Sequence, residues 1–244
     1  MRRGSTLVLW GRASVAFIAG HRPSTGYTRA SCVAQASFVQ DVIGAFPRAW
    51  GAVLIADVVA ITEQLGLERP VLVGQSLGGH TAMLTTASHP EMVRGLVLVE
   101  AGPDGPNPNG PKEIGDWFDS WATPFPSRAA AAEFFGGGPV VTDWAAGLEK
   151  HNGTWHPRFD RDVTVAALTE KAQHSFDHEW RQITCPILVA LAQSSVLSES
   201  DVDKMLQQPP TTVAMSVPST NHDLHLERPE LLHTTLLEFL DTLT

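Results

Sequence analysis

The stretch Pro70-Val-Leu-Val-Gly-Gln-Ser76-Leu-Gly-Gly-His80 decides the fold. An apolar, β-rich run, Pro70–Val73, turns through Gly74-Gln75-Ser76-Leu77-Gly78 and passes at once into a helical pattern, Leu77–Ser88. A strand that turns so tightly into a helix forces its middle residue into a strained backbone conformation. Side chains two residues to either side must then be small, and Gly74 and Gly78 stand at those places. Ser76 Oγ is thereby displayed at the carboxyl end of a strand, with a helix N-terminus behind it that favours developing negative charge. The N–H of Leu77 points where an oxyanion would form. The bland reading of such a GxSxG stretch is a glycine-rich turn. The strand before it, the helix after it and a second apolar run at Arg94–Glu100 favour a nucleophile.

Working outward, further short apolar runs lie at Thr6–Trp10, Val15–Ala19, Pro186–Ala192 and Thr211–Val217. Helical periodicity separates several of them, at Ala52–Leu65, Ser200–Gln207 and Pro229–Leu243. Strands apolar on both faces that alternate with helices predict an α/β fold, a mostly parallel sheet covered by helices on both faces. Residues 101–182 break the rhythm. They open on Gly102-Pro-Asp-Gly-Pro-Asn-Pro-Asn-Gly-Pro111, expected to be neither helix nor central strand, and hold five of the seven tryptophans and six of the ten phenylalanines. Helical patterns follow at Ser127–Phe135, with Ser127 as N-cap, and at Asp162–Phe176. We read 101–182 as a helical cap, or lid, inserted into a core made of 1–100 and 183–244. The alternative is a second packing layer whose aromatics fill only their own core.

Composition narrows the function. A chain of 244 residues, 43% hydrophobic and 18% charged, suits one α/β domain with an insertion, or at most two small domains. A net charge of −9 argues against nucleic acid and against an anionic membrane surface as partners. Cys32 and Cys185 are far apart, without a CxxC pattern, and the pairs His222/His225 and His174/His178 lack an HExxH context, so no metal is expected. Arg12 interrupts the apolar start, no cleavage site of small residues follows, and no run reaches the ~18 apolar residues needed to span a bilayer. A cytoplasmic protein is the expectation.

Gly74–His80, together with His89-Pro-Glu-Met-Val-Arg-Gly-Leu-Val-Leu-Val99 and Pro218-Ser-Thr-Asn-His222-Asp-Leu-His-Leu-Glu-Arg-Pro229, resembles the α/β-hydrolase family. The likeness covers 52–100 and 183–243 well and the rest loosely. It implies a doubly wound sheet, a Ser–acid–His triad and, most often, ester hydrolysis. His222 lies between the last strand and the last helix, where the family keeps its histidine, and Asn221 replaces the glycine usually found before it. His225 is the rival, read as a packing histidine, as is His80.

The family most often places its acid just after the strand Ile187–Ala192, where this chain has Gln193-Ser194-Ser195. Glu100, ending an apolar strand, needs a partner if buried and can reach the histidine as in relatives with a displaced acid. Asp201 is the second candidate, a chain without a working acid the third, and Asp223 is expected to point elsewhere. The second oxyanion donor would be the N–H of Arg12, after a strand Leu7–Trp10 in which Trp10 replaces the family's histidine. Residues 12–14 stand where the family has a longer connection, and Val33–Phe46 would supply a compensating helix.

The reading is a cofactor-free, carboxylesterase-like serine hydrolase of small to medium carboxylic esters or lactones. Ser76 attacks, His222 oriented by Glu100 moves the proton, and Leu77 with Arg12 holds the oxyanion. Trp117, Trp121, Phe125 and Trp144 would bind an apolar acyl or alcohol group. Two alternatives stay open: carbon–carbon bond hydrolysis or cofactor-free perhydrolysis on the same triad, and a non-catalytic ligand-binding protein on this scaffold. An apolar rim on the insertion would mark a homodimer.

Overall fold

Three continuous apolar runs, within Val71–Gln75, Gly95–Val99 and Ile187–Ala192, build the centre of a sheet buried on both faces. The computed structural model describes residues 15–18, 50–103, 107–209 and 211–243. The expected strand Thr6–Trp10, the helix at Val33–Phe46, Arg12 and Cys32 lie outside them. In chain order the elements are β1 (Val15–Ile18), α1 (Trp50–Gln64), β2 (Val71–Gln75), α2 (Leu77–Ser88), β3 (Gly95–Val99), α3 (Gly110–Asp119), α4 (Arg128–Phe134), α5 (Pro139–Ala146), β4 (Glu149–His151), β5 (Thr154–His156), α6 (Arg161–Ala172), α7 (Asp177–Gln182), β6 (Ile187–Ala192), α8 (Glu199–Gln207), β7 (Thr212–Val217), α9 (Leu224–Glu227) and α10 (Pro229–Thr242). They fall into two compact units, one holding the main sheet and the other comprising, among the described residues, Trp50 and 107–174.

The main sheet runs β1-β2-β3-β6-β7, parallel except for β1, which pairs antiparallel with β2. Period-2 side-chain alternation sorts its residues between two faces. Leu72, Leu96, Leu98, Ile187, Val189 and Leu191 pack with Met83 of α2, Trp180 of α7 and Met205 of α8. On the opposite face Val71, Val73, Val97, Val99, Leu188 and Ala190 pack with Leu232, Leu236 and Phe239 of α10. Leu236 is fully buried, and truncating such a leucine to alanine costs roughly 2–5 kcal/mol. The α/β reading holds: helices cover both faces of a mostly parallel sheet. Parallel strands leave their carboxyl ends on one edge, where β2, β3 and β6 end side by side.

The second unit has its own core of Phe125, Ala131, Ala145 and Leu148, with Trp121, Phe135 and Trp155 against it. Ser127 caps α4 by accepting from Ala130 N–H at 3.0 Å. The start of α3 corrects the expectation that Gly110 and Pro111 are non-helical. Pro111 sits in the first turn, where its missing N–H has no intrahelical bond to lose. The helix α6 starts at Arg161, one residue before the expected Asp162, capped by Asp160 accepting from Asp162 and Val163 N–H, and it stops at Ala172 rather than Phe176. The hairpin β4–β5 was not anticipated. Its signal is Asn152-Gly153, both at positive φ (48° and 90°), as a tight two-residue turn demands.

Cys185 is a buried free thiol whose pKa burial pushes up to about 11. No helix among the described residues is long and apolar enough to cross a membrane, and none of these residues form a group of three or more metal-binding side chains.

Candidate active site

The tight turn after β2 sets the position of Ser76. Its φ of 52° and ψ of −121° lie in a region that L-residues rarely adopt, at a cost of about 1–3 kcal/mol. The surroundings hold it there: Ser76 N–H donates to Val99 O at 3.0 Å, and Ser76 O accepts from His80 N–H at 3.0 Å. The glycines are required by close approach. A Cβ on Gly74 would collide with the backbone of Gly78, and one on Gly79 with the Ala101 side chain and the Gly74 carbonyl. Gly74→Ala must therefore shift backbone, and we expect a loss of about 2–3 kcal/mol in a urea titration together with loss of function. Leu77 opens α2, so its N–H has no intrahelical acceptor and is available to an anion.

Glu100 follows β3 at a φ of 50° and is 2% exposed. Its Oε1 accepts from Ala192 N–H at 2.7 Å and from the Ser195 hydroxyl at 2.8 Å. Its Oε2 accepts from Val196 N–H at 3.0 Å and faces His222 Nδ1 at 3.7 Å. Burial alone would push this carboxyl up. The His222 ring and the Ala192, Val196 and Ser195 donors outweigh burial, so the pKa lies below the ordinary value and the group is an anion at neutral pH. Ser195, standing where the acid was first sought, donates to Glu100 instead. Asp201 is in the first turn of α8, where it accepts from the Ser198 hydroxyl and Lys204 Nζ at 2.6 and 3.0 Å.

His222 lies in the loop between β7 and α9, and that loop is fastened at both sides. Ser219 N–H donates to Gln193 Oε1 at 2.7 Å, and Ser194 N–H donates to Thr220 O at 3.1 Å. Asn221 N–H donates to the Glu227 carboxylate at 3.0 and 3.1 Å, and its side-chain amide adds a contact at 3.3 Å.

The protonation of the His222 ring follows from Gln75, the last residue of β2. The Gln75 amide nitrogen lies 3.2 Å from His222 O and 3.1 Å from His222 Nε2. A carbonyl oxygen only accepts, so the amide atom beside it is the NH2 group. That group only donates, so His222 Nε2 is its acceptor, and the neutral ring carries its proton on Nδ1, towards Glu100. This is the tautomer a general base needs: the Nε2 lone pair, which here accepts from the Gln75 amide, takes a proton once that donor gives way. The Ser76 hydroxyl is half-buried and makes no hydrogen bond among the described residues. Contacts of this kind commonly tighten only when substrate binds.

The remaining candidates sit elsewhere. His80 is buried in α2 with its ring edge-on to Phe176, 4.4 Å between centroids, and His225 is buried in α9. The carbonyl of Asp223 accepts from Leu226 and Glu227 N–H at the start of α9. Trp117, Trp121, Phe125 and Trp144 belong to the second unit. Trp117 packs edge-on to Trp121 and Trp144, all three half-buried, whereas Phe125 is 2% exposed inside that unit's own core. Gln75 and Glu227 escaped the sequence reading. Gln75, like Glu100, is a polar residue ending an apolar strand, and that signal marks both.

Against known proteins, residues 9–234 match the model of a family described as the alpha/beta hydrolase family. A Haemophilus influenzae protein provisionally named as an esterase/lipase is 25% identical over 191 residues, 76% of this chain and 65% of its own length. The chain thus spans just under two thirds of that relative. Among solved structures, an E-2-(acetamidomethylene)succinate hydrolase superposes with a TM-score of 0.69 at 20% identity, covering 78% of this chain and 74% of that one. A marine microorganism esterase gives 0.63 at 20% identity, with 78% and 77% covered. At such identities the structural likeness speaks for the fold.

Proposed function

This chain belongs to the alpha/beta hydrolase family, and from that premise we propose that it is a serine hydrolase of small to medium carboxylic esters or lactones. The observation that carries the reading is the orientation of His222. One ring nitrogen faces a buried carboxylate, and the other presents its lone pair beside the strained turn that displays Ser76.

In the proposed cycle Ser76 Oγ attacks the acyl carbon while its proton passes to His222 Nε2. The imidazolium so formed is stabilised by the Glu100 anion, which keeps its own charge. The tetrahedral oxyanion accepts from Leu77 N–H, with Arg12 N–H proposed as the second donor. Collapse breaks the ester bond, His222 Nε2 returns the proton to the leaving alcohol, and an acyl-Ser76 remains. A water molecule then attacks with the same proton relay and releases the acid. Every group in this cycle comes from the chain itself, and we propose no cofactor. We propose that the insertion read at 101–182 acts as the lid through residues 107–174 of the second unit, and that Trp117, Trp121 and Trp144 supply apolar surface for the acyl or alcohol group. Phe125 would support them from within.

The test is hydrolysis of p-nitrophenyl acetate, butyrate and octanoate by the wild-type protein. Turnover is expected, with kcat/KM rising from acetate to butyrate as the apolar surface is used, by up to about tenfold for each buried methylene. A folded protein that turns over none of the three contradicts the esterase reading. It would leave carbon–carbon hydrolysis, perhydrolysis or ligand binding as its role.

A further inference from the structure

We propose that Gln75 is a positioning residue that holds His222 in the tautomer and ring orientation its proton transfer requires. The proposal rests on the reading of His222 as the general base. Gln75 is 6% exposed, and both of its amide N–H groups are spent on one residue: one on His222 O at 3.2 Å, the other on His222 Nε2 at 3.1 Å. Its Oε1 is buried and has no hydrogen-bond partner among the described residues. A methionine would fill the same volume with no orphaned acceptor, so packing alone does not account for an amide here. The amide does what no apolar side chain can. It ties the backbone carbonyl and the ring of His222 together, and by donating to Nε2 it keeps the ring proton on Nδ1, opposite Glu100.

In the catalytic step the Ser76 hydroxyl replaces the Gln75 N–H at Nε2, and the second N–H keeps its hold on His222 O. The ring therefore stays aimed as the donor changes. A carboxylate at position 75 reverses the arrangement, because it can only accept. It would draw the ring proton to Nε2 and repel the His222 carbonyl, which leaves the lone pair on Nδ1, against Glu100, and no base facing Ser76.

Gln75→Met and Gln75→Glu test this against the wild type. The readouts are kcat and KM for p-nitrophenyl butyrate, thermal melting, and the tautomer of His222 from nitrogen-15 NMR of the full chain at about pH 8, where histidine is neutral. The ring is assigned by comparison with His222→Asn. The wild type should show a protonated Nδ1 and a bare Nε2. Gln75→Met leaves Glu100 facing Nδ1 but frees the ring and the carbonyl of His222 from their shared hold. It should lower kcat about 10- to 100-fold with KM changed little, since loss of aim rather than of binding is the defect. Gln75→Glu should carry the proton on Nε2 and lower kcat by about 10³–10⁴, as a wrong tautomer does in other serine hydrolases. Gln75→Met with wild-type or higher kcat overturns the proposal, and so does a wild type protonated on Nε2. If Gln75→Glu fails to fold, the methionine variant and the wild-type spectrum still decide. A wild type without esterase turnover sinks the function proposed above, while the tautomer still tests Gln75.

Discussion

Ser76→Ala should abolish turnover of p-nitrophenyl butyrate, with kcat falling by about 10⁶ where Ser76 is the nucleophile of a complete triad. No other oxygen nucleophile occupies the strained turn, and the N–H of Leu77 can only stabilise an intermediate that Ser76 has begun to form. The same residue makes a second, opposite prediction. A φ of 52° costs a side chain about 1–3 kcal/mol, and glycine is free of that cost. Ser76→Gly should therefore be as inactive as Ser76→Ala yet melt several degrees above the wild type. A variant that gains stability while losing all turnover marks strain kept for chemistry. Unchanged turnover in either variant, measured on protein free of contaminating esterase, would remove Ser76 from the mechanism.

Glu100→Gln has the second largest expected effect, a loss of about 10⁴ in kcat at neutral pH, because an amide neither fixes the His222 tautomer nor stabilises the imidazolium. Asp201→Asn, which alters only the first turn of α8, should leave kcat within about twofold and serves as the control. The Glu100 variant should also be less stable. The carboxylate accepts from Ala192 N–H, the Ser195 hydroxyl and Val196 N–H, and an amide turns one NH2 towards these donors, at about 1–3 kcal/mol.

The pH dependence carries a definite sign. The folded-state pKa of Glu100 lies below its ordinary value near 4.5, so its contribution to stability is complete above that pH and is lost as the pH falls towards the folded-state value. Melting temperatures recorded from about pH 7 to pH 3 should fall less steeply on acidification in Glu100→Gln than in the wild type. Equal slopes would mean that the buried carboxylate is not ionised in the native protein.

The fold was legible where its signals are local. The turn at Gly74–Gly78 announces itself in five residues, because strand, tight turn and helix follow one another without an intervening loop. The unbroken apolar run Val71-Leu72-Val73 already says that both faces of the strand are covered, because successive side chains point to opposite faces. Local signals were also present at Asn152-Gly153 and Gly110-Pro111. The first is the turn of the β4–β5 hairpin, and the second opens α3, since proline is at home in a helix's first turn.

The site was legible only in part, since its partnerships span the chain. Glu100 could be singled out as a charge ending an apolar strand, but that it meets Ala192, Ser195 and Val196 depends on β3 and β6 lying side by side. The amide of Gln75 reaches a histidine 147 positions away, and nothing in its neighbours foretells that pairing. The aromatics of 101–182 were visible as a cluster. That Phe125 is buried while Trp117, Trp121 and Trp144 are half-exposed depends on how that unit packs.

The most direct test of the central claim is mass spectrometry of the native chain after treatment with a fluorophosphonate, followed by peptide mapping. The wild type should form one covalent adduct rapidly, on the Ser76 hydroxyl, Glu100→Gln far more slowly and Ser76→Ala not at all. A folded protein that hydrolyses esters but carries the adduct on another residue, or none, contradicts that claim.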